Sequence, residues 1–259
     1  MMIRVVKIGG NELDRPEWVA SCARALNGIG PVVVVHGGGH AVSAWSRRLG
    51  LPVEKKDGLR VTTPEIAEVV EMVLGGPVNR LLVTALRSAG LDAIGLSGVD
   101  GGLLTAQPLQ NETTLGEVGE IVNVRASLLQ SLLLAGLTPV VAPIAPSLTA
   151  PARPLNVNAD QAAAAIAAAL EAEELLFVSD VPGVTIDGVT QPTLAAAEIE
   201  TMIEGGVATG GMAAKLRAAA QALGAGVRAV RIGDLDMFAH ATAGTRLLAA
   251  PATPAAQPA

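Results

Sequence analysis

Nearly unbroken apolar runs, each stopped by a glycine, proline or polar residue and each separated from the next by windows of helical length, constrain this chain more than any other feature. They lie at Ile3 to Ile8, Pro31 to Val35, Ala93 to Leu96, Thr138 to Ala142, Leu175 to Val178 and Val227 to Ile232. A strand solvated on one face alternates apolar and polar residues, whereas a strand covered on both faces reads as a continuous apolar run. Helical windows fall at Glu17 to Asn27, Ala41 to Leu49, Pro64 to Leu74, Asn79 to Ala89, Ala126 to Leu134, Ala159 to Ala172, Leu194 to Ile203 and Gly211 to Leu223. Strand and helix therefore alternate, and the expected class is α/β, a mainly parallel sheet with right-handed crossovers.

Two segments break the alternation. Leu103 to Ala106 and Gly119 to Val124 flank the polar piece Gln110 to Thr114 and read as an antiparallel hairpin or flap; Thr185 to Pro192 is a second polar, Gly-containing piece. The Ala-rich helix ending at Ala172 marks a lobe boundary, giving residues 1–172 and 173–250, and a Pro/Ala tail at 251–259 is expected to fray. A net charge of -6, with two Phe, two Trp and no Tyr, offers neither a basic field nor stacking platforms, so nucleic acid is not an expected partner. A single cysteine, Cys22, excludes an intrachain disulfide. The apolar stretches Leu132 to Pro146, broken by three prolines, and Ala162 to Leu170 are too broken or too short for a bilayer span. No signal-like run opens the chain, so a soluble cytoplasmic protein is expected.

Six motifs carry candidate chemistry. In Lys7-Ile8-Gly9-Gly10-Asn11 a lysine ends a buried strand, which is costly unless its charge reaches solvent or meets an anion. In His36-Gly37-Gly38-Gly39-His40 a strand feeds three glycines and a helix, offering backbone N–H groups and a helix N-terminus to an anion. Val42 stands where the dinucleotide fingerprint needs Gly or Ala, and there is no G-x-x-x-x-G-K-[ST], so the two commonest phosphate loops do not apply. His36 and His40 lack a third ligand nearby in sequence, and no metal site is expected. Asp57-Gly58-Leu59-Arg60-Val61-Thr62 presents a guanidinium to a carboxylate or to a surface ion pair. Asn156, Asn158 and Asp160 share a face if extended, and Asp160 sits where a helix N-cap belongs. Ser179-Asp180-Val181-Pro182-Gly183 opens a loop at a strand end, and Gly210-Gly211 starts a helix that carries Lys215 in its first turn. Of 18 basic residues only Lys7, Lys55, Lys56 and Lys215 are lysines, so where this chain places a lysine is informative.

Taken in order, K-I-G-G-N, V-H-G-G-G, G-L-R-V-T, N-V-N-A-D, S-D-V-P-G and T-G-G-M-x-x-K make the chain resemble the amino acid kinase family, and within it the acetylglutamate kinases. Val70 to Leu74, Gly95 to Gly98 with Asp100 to Gly102, and Val118 to Ile121 support the match, which runs from Ile3 to about Leu248. The resemblance implies a three-layer αβα sandwich with an N-terminal lobe for the acyl amino acid and dimerisation and a C-terminal lobe for Mg-ATP. It implies phosphorylation of the side-chain carboxylate of N-acetyl-L-glutamate, the second step of the acetylated route to arginine. Lys7 and Lys215 would stabilise the transferring phosphoryl group and Asp160 would hold them. Gly37, Gly38, Arg60, Asn156 and Asn158 would bind the substrate, and Gly9, Gly10, Ser179, Asp180, Gly210 and Gly211 would serve ATP, with Mg carried by the nucleotide. The acceptor carboxylate, with a pKa of about 4.3, is already ionised at neutral pH, so the chemistry needs relief of charge repulsion and no general base.

This chain departs from the family pattern at Arg231 to Leu235, which lacks D-G-R, at Ala145, and at Glu117. Its K-x-G-G strand follows the N-terminus at once, and the expectation is an arginine-insensitive homodimer joined through the helix Pro64 to Leu74. Two other readings are the sister kinase of lysine biosynthesis, acting on acetylated or carrier-linked aminoadipate, and a binding module without catalysis. One methylene discriminates the first by only about 1 to 3 kcal/mol, and retention of Lys7, Asp160 and Lys215 together argues against the second.

Overall fold

The computed structural model describes residues 2–56, 58–109, 113–150 and 153–249. The tail at 251–259, Asp57 and residues 110–112 of the polar hairpin segment lie outside the described residues. Eight strands form one central sheet: β1 (Arg4–Ile8), β2 (Val32–His36), β3 (Ala93–Ser97), β4 (Thr138–Ala142), β5 (Glu174–Val178), β6 (Thr193–Ala195), β7 (Val230–Gly233) and β8 (Thr245–Leu248). Their spatial order is β6-β8-β7-β5-β1-β2-β4-β3. All neighbouring pairs are parallel except β7 with β8. The sheet runs without a break across residue 172, because β5 pairs with β1 along its whole length.

Each strand buries alternate residues in opposite layers, as the pleat requires. Val5, Val33, Val35, Val141 and Phe177 meet α6 (Ala159–Ala169) and α8 (Gly210–Gly224) on one side. Val6, Ile8, Val34, Val140 and Leu176 meet α1 (Pro16–Leu26), α3 (Pro64–Val73) and α4 (Asn79–Ser88) on the other. Burial on both faces is why these strands read as continuous apolar runs. Alanines on α6 and α8, among them Ala163, Ala167, Ala218 and Ala222, are fully enclosed and let the two helices pack closely.

The expected hairpin is present as Leu104–Pro108 antiparallel to Val118–Val124, but it is no isolated flap. It continues through Pro154–Val157 and Ile144–Pro146 into a four-stranded second sheet. Two expectations are corrected. α-Helix over Leu194 to Ile203 is confined to Ile199–Glu204, preceded by a 3-10 turn at Ala196–Glu198, because Thr193–Ala195 forms the edge strand β6 beside β8 and its backbone bonds go to the sheet. The helices expected over Pro64 to Leu74 and Asn79 to Ala89 are present as α3 and α4, but they join into one run, Pro64–Ser88, which the expected absence of a bilayer-length apolar stretch did not include; it is apolar and long enough to cross a bilayer by composition alone. It is bent by a π turn at Leu74–Val78 that holds Gly76 and Pro77, and it lays Ile66, Val70, Val73, Leu82 and Leu86 into the core.

Candidate active site

β1, β2 and β5 end side by side, with Lys7 in register with Val35 and Phe177. The carboxyl edge of a parallel sheet is where strand ends leave a crevice and helix N-termini point into it. Lys7 falls on the strand face that looks toward α6, and its Nζ meets Asp160 Oδ1 at 2.8 Å with both residues buried. Asp160 is therefore not the N-cap, a correction of the sequence reading. Asn158 caps α6, its Oδ1 accepting from the N–H groups of Asp160 (2.8 Å) and Gln161 (3.2 Å). The cap frees the Asp160 carboxylate for the lysine.

Lys215 arises from the second turn of α8, not the first, and is 8% exposed, with Nζ donating to Ser179 Oγ at 3.4 Å. Burial, and then the charge of Lys7, lower its pKa from the ordinary lysine value, while Asp160, Glu12 and Asp180 oppose them. A buried ammonium beside a second one is a site prepared for added negative charge.

The glycine loop after β2 supplies the opposite wall. Gly37 N–H is held by Ile8 O at 3.0 Å, so it is not a free donor. Gly38 has no side-chain cap to offer α2 (Gly39–Arg48), and Thr209 makes no side-chain cap on α8. The first N–H groups of these two helices have no intrahelical partner, and such groups bind anions. Gly10 passes so close that a Cβ there would lie 2.6 Å from Gly38 N.

Arg60 is 8% exposed; its Nη2 donates to Gly39 O at 2.7 Å and Ser43 Oγ at 2.6 Å, and its buried Nη1 has no hydrogen-bond partner among the described residues. One blade of the fork is anchored by oxygens of α2. Burial, then Arg47, lower its pKa from the usual arginine value. Asn156 Nδ2 donates to Thr62 Oγ1 at 3.1 Å, and Thr62 Oγ1 to Arg60 O at 2.9 Å, so the Asn156 amide is tied to the backbone of Arg60.

A cleft of about 240 Å³ joins these walls and is lined by Lys7, Gly10, Gly37, Gly38, Arg60, Asn156, Asn158, Asp160 and Gly211. Comparison with known proteins decides the family. The amino acid kinase family model matches residues 2–234. The chain belongs to the amino acid kinase family. It is 47% identical over 235 residues to the acetylglutamate kinase of Chloroflexus aurantiacus, covering 90% of this chain and 92% of that one. A crystal structure of a Streptococcus mutans protein superposes with a TM-score of 0.83 at 29% identity, covering 95% of this chain and 98% of the other. Giardia lamblia carbamate kinase shares the fold, with a TM-score of 0.73 at 15% identity and coverage of 96% and 99%.

Among the residues singled out in this amino acid kinase, Ser179 reaches the centre through Lys215, and Asp180 is exposed at the end of β5. Gly210 takes φ +53 at the start of α8. Gly9 lies under the cleft: its N–H donates to Val178 O at 3.1 Å, and a Cβ would lie 2.1 Å from Glu12 Oε2. Glu12 was missed from sequence. It is 5% exposed, its Oε2 has no hydrogen-bond partner among the described residues, and its only signal was a carboxylate five residues beyond Lys7. His40 pairs with Asp14 at the surface, whereas His36 is fully buried, so the two histidines do not converge.

Proposed function

We propose that this amino acid kinase transfers the γ-phosphoryl group of ATP to the side-chain carboxylate of N-acetyl-L-glutamate. A carboxylate oxygen forms the new bond to γ-phosphorus, the bond to the β,γ-bridging oxygen breaks, and its electron pair leaves with ADP. The observation that carries the reading is the buried Lys7–Asp160 pair with Lys215 nearby, opposite helix N-termini that lack side-chain caps. Carboxylate and polyphosphate repel each other, and charge grows on the transferring group; two ammonium groups and free N–H donors relieve both. Asp160, already bound to a lysine, acts as an organiser and takes no proton.

The Nη1 of Arg60, without a hydrogen-bond partner among the described residues, suits the α-carboxylate of the substrate, with Asn156 and Asn158 toward its amide. Ser179, Asp180, Gly210 and Gly211 belong to the nucleotide side in this reading, and residues 1–172 and 173–250 are its two lobes. Mg2+ carried by the nucleotide would supply neutralisation of polyphosphate charge. Asp160 and Asp14 are engaged by Lys7 and His40, and Glu12 is packed against Gly9, which fits a metal held by phosphates more than by the protein. A homodimer through α3 is proposed on the exposed Leu49 and Met72 beside Leu51 and Val69, and a cytoplasmic location on the choice of substrates.

A hydroxylamine trap for acyl phosphate tests the function, with Mg-ATP and either N-acetyl-L-glutamate, N-acetyl-L-aminoadipate or no acceptor. Acceptor-dependent signal with the glutamate compound is expected. Preference for aminoadipate, or no signal above the blank, would overturn the assignment.

A further inference from the structure

We infer that His36 and Asn79 are positioning residues that lock the Gly37–Gly38 peptide so that Gly38 N–H faces the transferring phosphoryl group. The inference rests on the kinase reading above for its purpose, and on hydrogen-bond geometry for its content.

A trans peptide is planar, with C=O and N–H pointing in opposite directions. His36 Nδ1 lies 2.8 Å from Gly37 O, so that carbonyl is turned toward the imidazole. The N–H of the same peptide unit, on Gly38, is therefore turned away from the ring, and it donates to no other group among the described residues. Gly38 lines the cleft. Its φ of +154° and the 2.5 Å that would separate a Cβ from Leu74 Cδ2 keep this position for glycine.

The pin works only if Nδ1 carries the proton, and Asn79 sets that. Asn79 is fully buried at the start of α4. Its Oδ1 accepts from Arg80 Nη2 at 2.8 Å, and its Nδ2 donates to Val140 O at 2.9 Å. With oxygen and nitrogen so assigned, Nδ2 donates its second hydrogen to His36 Nε2 at 3.2 Å, with Leu96 O a weaker alternative at 3.4 Å. A nitrogen that accepts bears no hydrogen, so the proton of the neutral ring sits on Nδ1 and is donated to Gly37 O. Full burial keeps the ring neutral, its pKa lowered to about 4.

Local structure is arranged around this contact. The π turn Leu74–Val78 delivers Asn79 to the sheet, while Leu74 and Val78 of the same turn pack against Gly38. Single π turns inside helices are frequent at functional sites. Gly95 on β3 leaves the space that Asn79 fills, since a Cβ there would lie 1.9 Å from Asn79 Oδ1 and 2.3 Å from Arg80 Nη2.

The experiment compares wild type, Asn79→Asp, His36→Asn and the double variant. An aspartate at 79 accepts from Nε2–H, so a ring that stays neutral carries its proton on Nε2, the Nδ1 lone pair faces Gly37 O, and the peptide is released; nitrogen-15 spectra of this variant verify that the ring is neutral and not an imidazolium, which would keep Nδ1–H. An asparagine at 36 places an amide donor near the Nδ1 position and needs no tautomer. We expect Asn79→Asp to lower kcat on the order of 100-fold, the loss of one aligned donor, with KM for N-acetyl-L-glutamate within about threefold, because that donor acts only on the transferring group. In the His36→Asn background the same substitution is expected to change kcat by less than about threefold. A structural role alone would make Asn79→Asp equally harmful in both backgrounds, and that result, or an unchanged kcat in Asn79→Asp, would overturn the proposal. Nitrogen-15 NMR of the resting wild type reads the tautomer directly, in a chain with only three histidines. A proton on Nε2 would overturn the proposal even if Asn79→Asp does not fold. That readout needs no substrate, so a wrong substrate assignment would appear as an inactive wild type and leave the tautomer result standing.

Discussion

Acidification should unfold this protein in part through one residue, His36. The ring is fully buried, and the groups that touch it are the Asn79 amide and the Gly37 carbonyl, with no carboxylate to receive a proton's charge. Burial lowers its pKa from 6.5 to about 4, with the Gly37 carbonyl working weakly the other way. The unfolded chain takes up a proton below pH 6.5 that the folded chain refuses until about pH 4, so stability is complete above 6.5 and is lost as pH falls between those values. At about 1.36 kcal/mol per pH unit, the drop from 6.5 to about 4 amounts to about 3 kcal/mol. That is a large share of the 5 to 15 kcal/mol (roughly) typical of a domain, and is well resolved by urea unfolding. Wild type and His36→Asn should be titrated together, because carboxylates shared by both cancel in the difference. The wild-type curve should fall away from the variant's by about 3 kcal/mol across this window. Parallel curves would show that the His36 proton is not excluded by the fold, and would refute the reasoning.

Lys7→Ala should lower kcat by roughly ten- to a thousand-fold, the cost of one stabilising donor, and it leaves Asp160 buried without its cation; steady-state acyl phosphate assays would read it. Arg60→Ala should raise KM for N-acetyl-L-glutamate by about 10- to 150-fold, the equivalent of a charge-assisted hydrogen bond of about 1.5 to 3 kcal/mol, with kcat far less affected; the reverse pattern in initial rates would remove Arg60 from the carboxylate. Gly10→Ala forces a Cβ to 2.6 Å from Gly38 N, a backbone atom that cannot swing aside. It should cost about 1 to 3 kcal/mol of stability, whereas Gly224→Ala, with nothing within 4 Å of the added carbon, should not; thermal melts would separate the two.

Much of this architecture was legible because burial on both faces leaves an unmistakable trace. The apolar runs at Ile3 to Ile8 and Thr138 to Ala142 became β1 and β4 nearly residue for residue. The two outermost strands at one end of the sheet left no such trace. β8, with Arg246 and Leu248 exposed between buried Thr245 and Leu247, is short and half polar, and β6 took residues from an apparent helix. At the site, Lys7, Asp160 and Arg60 were legible because a charge in an apolar context needs an explanation. The N-cap was misplaced by two residues, because Asn158 and Asp160 are both good caps and only the structure shows that the Asp160 carboxylate is engaged by Lys7. His36 and Asn79 lie 43 residues apart and meet only through the pairing of β2, β4 and β3 beneath α4, so no local pattern could join them.

The choice of lysine over arginine at position 215, in a chain with so few lysines, points to a last test. An ammonium is compact and can lose its proton; a guanidinium is broader and keeps it. Lys215 is enclosed by Ser179, just beyond β5, and by its own helix, and burial together with Lys7 already lowers its pKa, against the pull of Asp160, Glu12 and Asp180. In the proposed reaction its charge acts when the phosphoryl group transfers, so kcat should fall on the alkaline side at a pH below the ordinary lysine value of 10.5. Lys215→Arg should lower kcat throughout, because the fork displaces Ser179 and overfills a closed site, yet this alkaline fall should vanish, since arginine does not titrate there. Glu12→Gln should move the wild-type fall to lower pH, because it removes one of the negative charges that hold the proton on Lys215. A kcat profile with the same alkaline limb in wild type and Lys215→Arg would assign that limb to another group and separate the charge of Lys215 from the rate.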